Sequence, residues 1–491
     1  MALQSKRKIL WLIIGCILFI ASNIFFVVND NYLFGLLPFG LAVLLFLFYS
    51  LDSVLLIIAF FTPLSIPLRL FFPTLGMDLN LPTEPLLIVA TGVFILKLLI
   101  EQRFDKKILS HQVTIAIFLY LTWMAFTSVT STLPIVSFKF LATRIWFITS
   151  FYFLATALFS KSSNIPKYIW AYTISLSIVV MITLIKHSAF FFSHETCYLI
   201  MQPFFDDHTS YGAVLALVIP PLFGLLYMSR NNINYYILIM VLIGIILVGL
   251  FFSYTRAAWL GVCLAFGIWG LIKLKIKFRT LALVVITTSL IIIPLSNEIY
   301  FMLRSNKSDS SSNFSTQFQS MTNIKTDDSN VERLNRWSCA WRMFLDRPIT
   351  GFGPGTYMFK YAPYQRSWER SLISTNAANL GNSHSEYMGP LAEQGLLGLL
   401  LFLAIIFTTV RTALKVINHS PNKKSKLIAL CLILGLFTYY LHGFMNDFLD
   451  MDKVTALFWG FTAAIVCLDV YHFEVSNEAK LPINQVNPQE E

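Results

Sequence analysis

The sequence predicts an all-α polytopic integral membrane protein of 12–14 transmembrane helices, with one large extracytoplasmic loop that contains an amphipathic helix. Three observations carry that reading. Of 491 residues, 56% are hydrophobic and 13% charged, about half the ~25% charged content of a soluble domain. The mean hydropathy is +0.68. Apolar runs near the ~20-residue length that crosses a bilayer core recur from end to end.

The runs place spans at 9–28, 32–49, 53–67, 85–101, 112–128, 141–160, 167–186, 210–229, 235–253, 256–273, 279–296, 393–414, 427–446 and 453–470, fourteen in all. The 53–67 run is short and closes on "TPLSIP", a pattern equally suited to a re-entrant or interfacial segment. If the 32–67 hairpin does not cross, twelve spans remain and the orientation of the others is unchanged.

Lysine and arginine set the orientation, because basic loops resist translocation. Lys6, Arg7 and Lys8 put the N-terminus in the cytoplasm. Alternate loops agree: Arg103, Lys106 and Lys107; Lys161 and Lys167; Arg230; "KLKIKFR" at 273–279; and Arg411, Lys415, Lys423, Lys424 and Lys426. The intervening loops are acidic or nearly neutral, as in "HETCYLIMQPFFDDH" and "NDFLDMDK". The expected organisation is a transmembrane bundle over 1–296, an outer loop over 297–392, further spans over 393–470 and a cytoplasmic tail over 471–491.

The net charge of +10 requires no nucleic-acid partner, since half of the 36 basic residues sit in those cytoplasmic segments beside anionic membrane lipid. No cleavable signal is evident, as the first apolar run leads into "NDNYLFG". Of six cysteines, Cys16, Cys263, Cys431 and Cys467 fall within spans as small packing residues, while Cys197 and Cys339 fall in outer loops where a disulfide is open to them. There is no CxxC, HExxH or clustered His/Cys pattern, so no metal site is expected.

The loop divides into parts. Residues 305–330 are polar and Ser/Asn-rich, a composition expected of a flexible insert. In "VERLNRWSCAWRMFLDRP", Leu334, Trp337, Trp341 and Phe344 recur at helical spacing, which predicts an amphipathic helix over 331–347 stopped by Pro348. Such a helix suits the membrane surface, with its tryptophans at headgroup level. The glycine-rich "ITGFGPGTY" reads as a turn. "NSHSEYMGPLAEQGLLGLLLFLAII" then re-enters the membrane with His384, Glu386 and Glu393 at its mouth.

A histidine there can take and return a proton, or merely bond a loop backbone. Glu386 and Glu393 lie in a first helical turn, where acidic residues favour the helix dipole. Arg256, in "FFSYTRAAWLGV", begins a span with almost no other charge nearby. Arg333 opens the amphipathic helix with Arg336 one turn on, and Arg144 sits near the outer end of another span. Arginines around an outward-facing cavity suit a pyrophosphate, which their planar forks bind in pairs of hydrogen bonds; each alternatively snorkels at the interface.

These motifs resemble the O-antigen ligase and polymerase superfamily. "RLNRWSCAWRMFLDRPITGFGPGTY" followed by "HSEYMGPLAEQGLLGLLLF" is similar to its pattern of Arg-x-x-x-Trp, helix, Pro, Gly-x-Gly-x-Gly, a His-Asn pair and E-x-G-x-x-G entering a span. "SYTRAAWLG" is similar to its Ser-x-Ser-Arg-Gly segment. The motifs cover about 250–410, and the rest resembles the family by topology alone.

The resemblance implies glycosyl transfer on the periplasmic face of the bacterial inner membrane, with both termini cytoplasmic and without metal or other cofactor. A glycan on undecaprenyl pyrophosphate passes to a hydroxyl of an acceptor such as lipid A–core. It implies that Arg256 and Arg333 hold the pyrophosphate and that His384 positions or deprotonates the acceptor. Glu386 and Glu393 are supporting residues, and Arg144 and Arg336, the latter without a family counterpart, are further phosphate candidates. Ser385 stands where the family has Asn, and Thr255 and Ala257 replace its Ser and Gly beside the arginine. A ligase is the expected activity, because Arg333 and His384 share one large loop and the 187–209 loop holds no arginine. The alternatives are a repeat-unit polymerase of the same superfamily and a small-anion or lipid transporter, although matched inverted halves are absent.

Overall fold

The computed structural model of the protein describes residues 50–71, 79–101, 104–274, 328–370 and 381–473, together with 19, 20, 22, 23 and 374. The expected spans 9–28 (those isolated positions apart), 32–49 and 279–296, most of the 305–330 insert and most of the 471–491 tail lie outside the described residues.

Among the described residues, ten helices are long and apolar enough to cross a membrane, and this is an all-α multi-pass membrane protein. The first described helix, α1 (Leu51–Phe61), is not one of the ten. Its 11 residues rise about 16 Å, half of a ~30 Å hydrocarbon core. The chain then turns back through a two-residue antiparallel pairing of β1 (Ile66–Pro67) with β2 (Asn80–Leu81). The expected 53–67 span is therefore a short helix and a return.

The ten long helices are α2 (Thr83–Glu101), α3 (Gln112–Val129), α4 (Pro134–Phe159), α5 (Asn164–Ser188), α6 (His208–Met228), α7 (Ile233–Phe252), α8 (Arg256–Lys273), α10 (Met388–His419), α11 (Lys423–His442) and α12 (Asp452–Val470). Between α8 and α10 lies α9 (Asp328–Asp346). The α4 span starts earlier than its hydropathy suggests because Pro134, at the first turn, is preset for helical geometry. A π-helical stretch, Thr149–Leu154, lies within it.

At the centre α6 packs on α11, α8 on α11, α3 on α10, and α12 on α10. Glycines set one of these approaches and that of α6 to the start of α8. A Cβ on Gly261 of α8 would lie 3.0 Å from the Thr438 carbonyl of α11, and one on Gly212 of α6 would lie 2.6 Å from Thr255. Small residues let helix backbones come this close. The buried start of α12 is tied to the β1 return: Ser65 Oγ donates to Asp452 Oδ2 at 2.7 Å, and Lys453 Nζ donates to Ser65 Oγ at 2.7 Å.

The predicted amphipathic helix is α9, and its faces follow the periodicity. Leu334 and Trp341 point away from the protein, at 38% and 49% exposed. Its buried face carries Glu332, Asn335, Arg336, Cys339, Ala340 and Met343, so polar groups as well as apolar ones face the bundle. Cys197 and Cys339 are both free thiols, so the disulfide left open by the sequence does not form. Cys339 is enclosed with Ala340, Met343, Tyr357 and Tyr361, a cluster that does not include Cys197.

Candidate functional site

The frame of the site is a break in α10. Gly395 adopts φ 70°, ψ −170° inside that helix, a conformation that only glycine takes without strain. The glycine turn docks at the break. Leu396 N–H donates to the Pro348 carbonyl at 3.0 Å, Phe352 N–H to that of Ala392 at 3.2 Å, and Gly353 N–H to that of Glu393 at 2.8 Å. Gly351, Gly353 and Gly355 all have positive φ. On its other side the turn is held by the α3–α4 connection and by α4: Thr132 N–H donates to the Phe352 carbonyl at 2.9 Å, and Ser137 Oγ to that of Pro354 at 2.8 Å.

Glu393 completes the frame. Its two carboxylate oxygens accept Gly355 N–H and Tyr357 N–H, each at 2.9 Å. Glu393 is buried, and its carboxylate is spent on the turn rather than on the helix dipole. Glu386 has a similar task nearby. It accepts from Tyr439 Oη at 2.6 Å and from Leu449 N–H at 2.7 Å. Burial raises its pKa to about 7, against the opposing charge of Arg144. Neither glutamate has a hydrogen bond to His384 among the described residues.

The 382–386 stretch lies along the turn after α11. Glu386 N–H donates to the Gly443 carbonyl at 2.8 Å. Ser385, at the family's Asn position, accepts Tyr387 N–H and Met388 N–H at 3.3 Å and so caps the start of α10. Between them His384 is held at φ 49°, a left-handed conformation that is uncommon outside glycine and concentrates at functional sites. Its imidazole is half-buried and has no hydrogen bond to another described residue. Burial and the charges of Arg333 and Arg336 hold its pKa down at about 4.

Arg333 projects from α9 onto the same turn, where its Nε donates to the Met445 carbonyl at 3.0 Å. Its charge reaches His384, His208 and His442. His208, at the start of α6, places Nδ1 2.8 Å from the Ser253 carbonyl. Thr255 Oγ1 donates to the His208 carbonyl at 2.8 Å. Arg256 follows directly as the first residue of α8, two positions after Tyr254, another residue with left-handed backbone (φ 52°). Arg256, Arg333 and His384 thus come from three separated stretches to one end of the bundle, with His208 between the α8 start and α9.

Arg336 and Arg144 are each committed to a carboxylate, Arg336 although its charge reaches His384. Arg336 is 2% exposed, with Nε 2.5 Å from Glu332 Oε1 and its guanidinium 4.0 Å from the Tyr361 ring centroid. A buried pair of this kind fixes the helix against its neighbours. Arg144 donates to Asp450 and to the Leu449 carbonyl and stands over the Phe140 ring. It lines a cavity of about 410 Å³, which is also lined by Glu386, Glu393, Asp447 and Asp450.

Sequence reasoning missed the His208 link, because its partners lie 45 and 47 residues away. It also missed Gln394, Asp447 and Trp459 of the cavity wall. The acidic "NDFLD" pattern was visible for Asp447, whereas a glutamine and a tryptophan in apolar runs carry no local signal. Among the described residues, no group of three or more His, Cys, Asp or Glu is placed to hold a metal ion.

Residues 238–403 match a family model described as O-antigen ligase. That stretch contains Arg256, Arg333, His384, Glu386 and Glu393. No curated protein matches the chain. That domain match, together with the multi-pass helical architecture, supports membership of the O-antigen ligase superfamily of glycosyltransferase-like enzymes.

Proposed function

We propose that the protein is a lipid-linked glycan ligase of the bacterial inner membrane, with both termini cytoplasmic and the site end periplasmic. It transfers a glycan from undecaprenyl pyrophosphate to a hydroxyl of a surface acceptor such as lipid A–core. The observation that carries the reading is the convergence of His384, Arg333 and the 253–256 turn that bears Arg256.

In this reading the acceptor oxygen attacks the anomeric carbon of the donor. The bond from that carbon to the pyrophosphate oxygen breaks, and its electron pair leaves with the polyprenyl pyrophosphate. Arg256 and Arg333 bind the leaving diphosphate and offset the charge that develops on it. The acceptor proton passes to the His384 imidazole. A ring held neutral by burial and two nearby guanidiniums is ready to accept it. The bound diphosphate offsets the charge of Arg333, which raises the basicity of His384 once the donor is in place.

The outward face of α9, with Leu334 and Trp341, suits the membrane surface, where the diphosphate of a polyprenyl donor would sit. The test is the size distribution of lipid-linked glycan in a deletion strain complemented with wild type or His384→Ala. Long polymer accumulating on its carrier, with a bare surface acceptor, is the expected result. Single repeat units alone, on carrier or acceptor, would make the protein a polymerase instead.

A further inference from the structure

The turn that carries Arg256 is anchored from outside its own helices. Ser253 stands at the C-terminal cap of α7, where a helix leaves its carbonyls without partners in the ladder. Tyr254 then turns left-handed at φ 52°, and Thr255 stands at the N-cap of α8 without its side chain capping that helix. The Ser253 carbonyl takes its partner from α6.

That partner is His208, whose Nδ1 lies 2.8 Å from the carbonyl oxygen. A carbonyl only accepts, so Nδ1 carries the proton. The imidazole is 7% exposed and sits edge to face with the Tyr198 ring, centroids 4.5 Å apart. It hangs from the first residue of α6, a helix that Asp207 Oδ1 caps by accepting Ser210 N–H at 2.7 Å. The donor is thus built into the end of a rigid helix. Thr255 Oγ1 is within 3.2 Å of the same carbonyl, but a hydroxyl has one proton and its shorter bond runs to the His208 carbonyl at 2.8 Å. Tyr254 Oη adds a bond to the Phe192 carbonyl at 2.7 Å. The bonds to His208 and Phe192 end on backbone oxygens, so they keep the turn docked whatever side chain stands at 208.

What the imidazole fixes is the Ser253–Tyr254 peptide plane. Rotation of that plane changes ψ of Ser253 and φ of Tyr254 together, and Arg256 moves with it two residues later. A guanidinium that grips a diphosphate through paired bonds depends on where its backbone stands, and a displacement on the order of 1 Å is costly at a reacting centre. The charge of Arg333 reaches the same ring, so the turn sits beside the second arginine of the group. We infer that His208 is a positioning residue for the donor: its Nδ1–H holds the Ser253 carbonyl and thereby sets where Arg256 meets the diphosphate. The inference rests on the assignment of Arg256 to the diphosphate, and the experiment tests the two apart.

The experiment measures binding of geranylgeranyl diphosphate, a short polyprenyl diphosphate, to the full-length protein in detergent micelles. Asparagine places its amide nitrogen where histidine has Nδ1, whereas glutamine places it near Nε2. His208→Asn should therefore bind close to wild type, while His208→Gln and His208→Leu should each lose about tenfold in affinity, the loss of one hydrogen bond to the ligand. The asparagine and glutamine variants should melt together, so that a difference in affinity between them is not one of folding. Arg256→Ala should lose at least as much as His208→Leu. Adding His208→Leu to Arg256→Ala should cost nothing more, because the residue being positioned is gone. Unchanged affinity in His208→Leu, rescue by glutamine instead of asparagine, or an equal further loss in the Arg256→Ala background would overturn the role of His208 and leave Arg256 in place. Absence of binding by wild type, or wild-type affinity in Arg256→Ala, would overturn the diphosphate assignment itself, and the role of His208 would fall with it.

Discussion

Arg333 Nε donates to the backbone carbonyl of Met445 at 3.0 Å, which fastens an arginine of the amphipathic helix to the turn that supports His384. The same turn receives Glu386 N–H at the Gly443 carbonyl. One short stretch after α11 therefore sets the position of both groups relative to each other.

Removing either arm of the proposed chemistry should stop transfer without unfolding the protein. For His384→Ala, transfer should fall by roughly 10²–10⁴, the usual contribution of a positioned acid or base. Arg256→Ala should be comparably inactive. Arg256→Lys should also be poor, because an ammonium lacks the bidentate fork. Reconstituted transfer assays on purified variants with wild-type melting behaviour check all three, and full activity in Arg256→Lys would reduce that residue to charge balance.

Arg333 and Arg336 should separate cleanly, although they lie three residues apart on one helix. Arg336→Ala leaves Glu332 buried without its cation, a loss on the order of 3–5 kcal/mol for a buried pair, and should show first as reduced thermal stability. Arg333→Ala should keep the melting temperature and lose activity. Melting curves and transfer rates measured on the same preparations decide it; equal destabilisation by both would remove Arg333 from the catalytic group.

The backbone break in α10 gives a third test. At Gly395 (φ 70°) an added Cβ would lie 2.1 Å from the Ile349 carbonyl oxygen. Gly395→Ala should displace the glycine turn and abolish both stability and transfer. Gly244→Ala, in the apolar body of α7 with nothing within 4 Å of the added carbon, should be silent. Expression level and protease resistance of the pair provide the readout.

The dependence on pH follows from His384. Its pKa is lowered to about 4 in the free protein, so the neutral base persists until pH falls through that value. The acid limb of kcat/KM, which reports free enzyme, should therefore lie well below the ordinary histidine range. The acid limb of kcat reports the donor complex, in which the diphosphate offsets Arg333, and should sit at higher pH. A reversed order of the two limbs would contradict a basic role for His384.

Much of this was written locally in the chain. Apolar runs located ten spans, most of their ends to within a few residues although α4 starts seven residues early at Pro134, because a span must satisfy its backbone within one segment whatever its neighbours do. The period of Leu334, Trp337, Trp341 and Phe344 determined α9, and "GFGPG" determined a turn with positive φ. What tertiary structure decided was the work of the charges. Glu386 and Glu393 looked like helix-start residues, yet their carboxylates hold Leu449 and the 355–357 turn. Arg336 and Arg144 looked like Arg333 in type and spacing, yet each is committed to its own carboxylate. A side chain's hydrophobicity is its own property and can be read in place. The use of a buried charge or an orphaned polar atom depends on partners tens to hundreds of residues away, and only the folded chain brings those within reach.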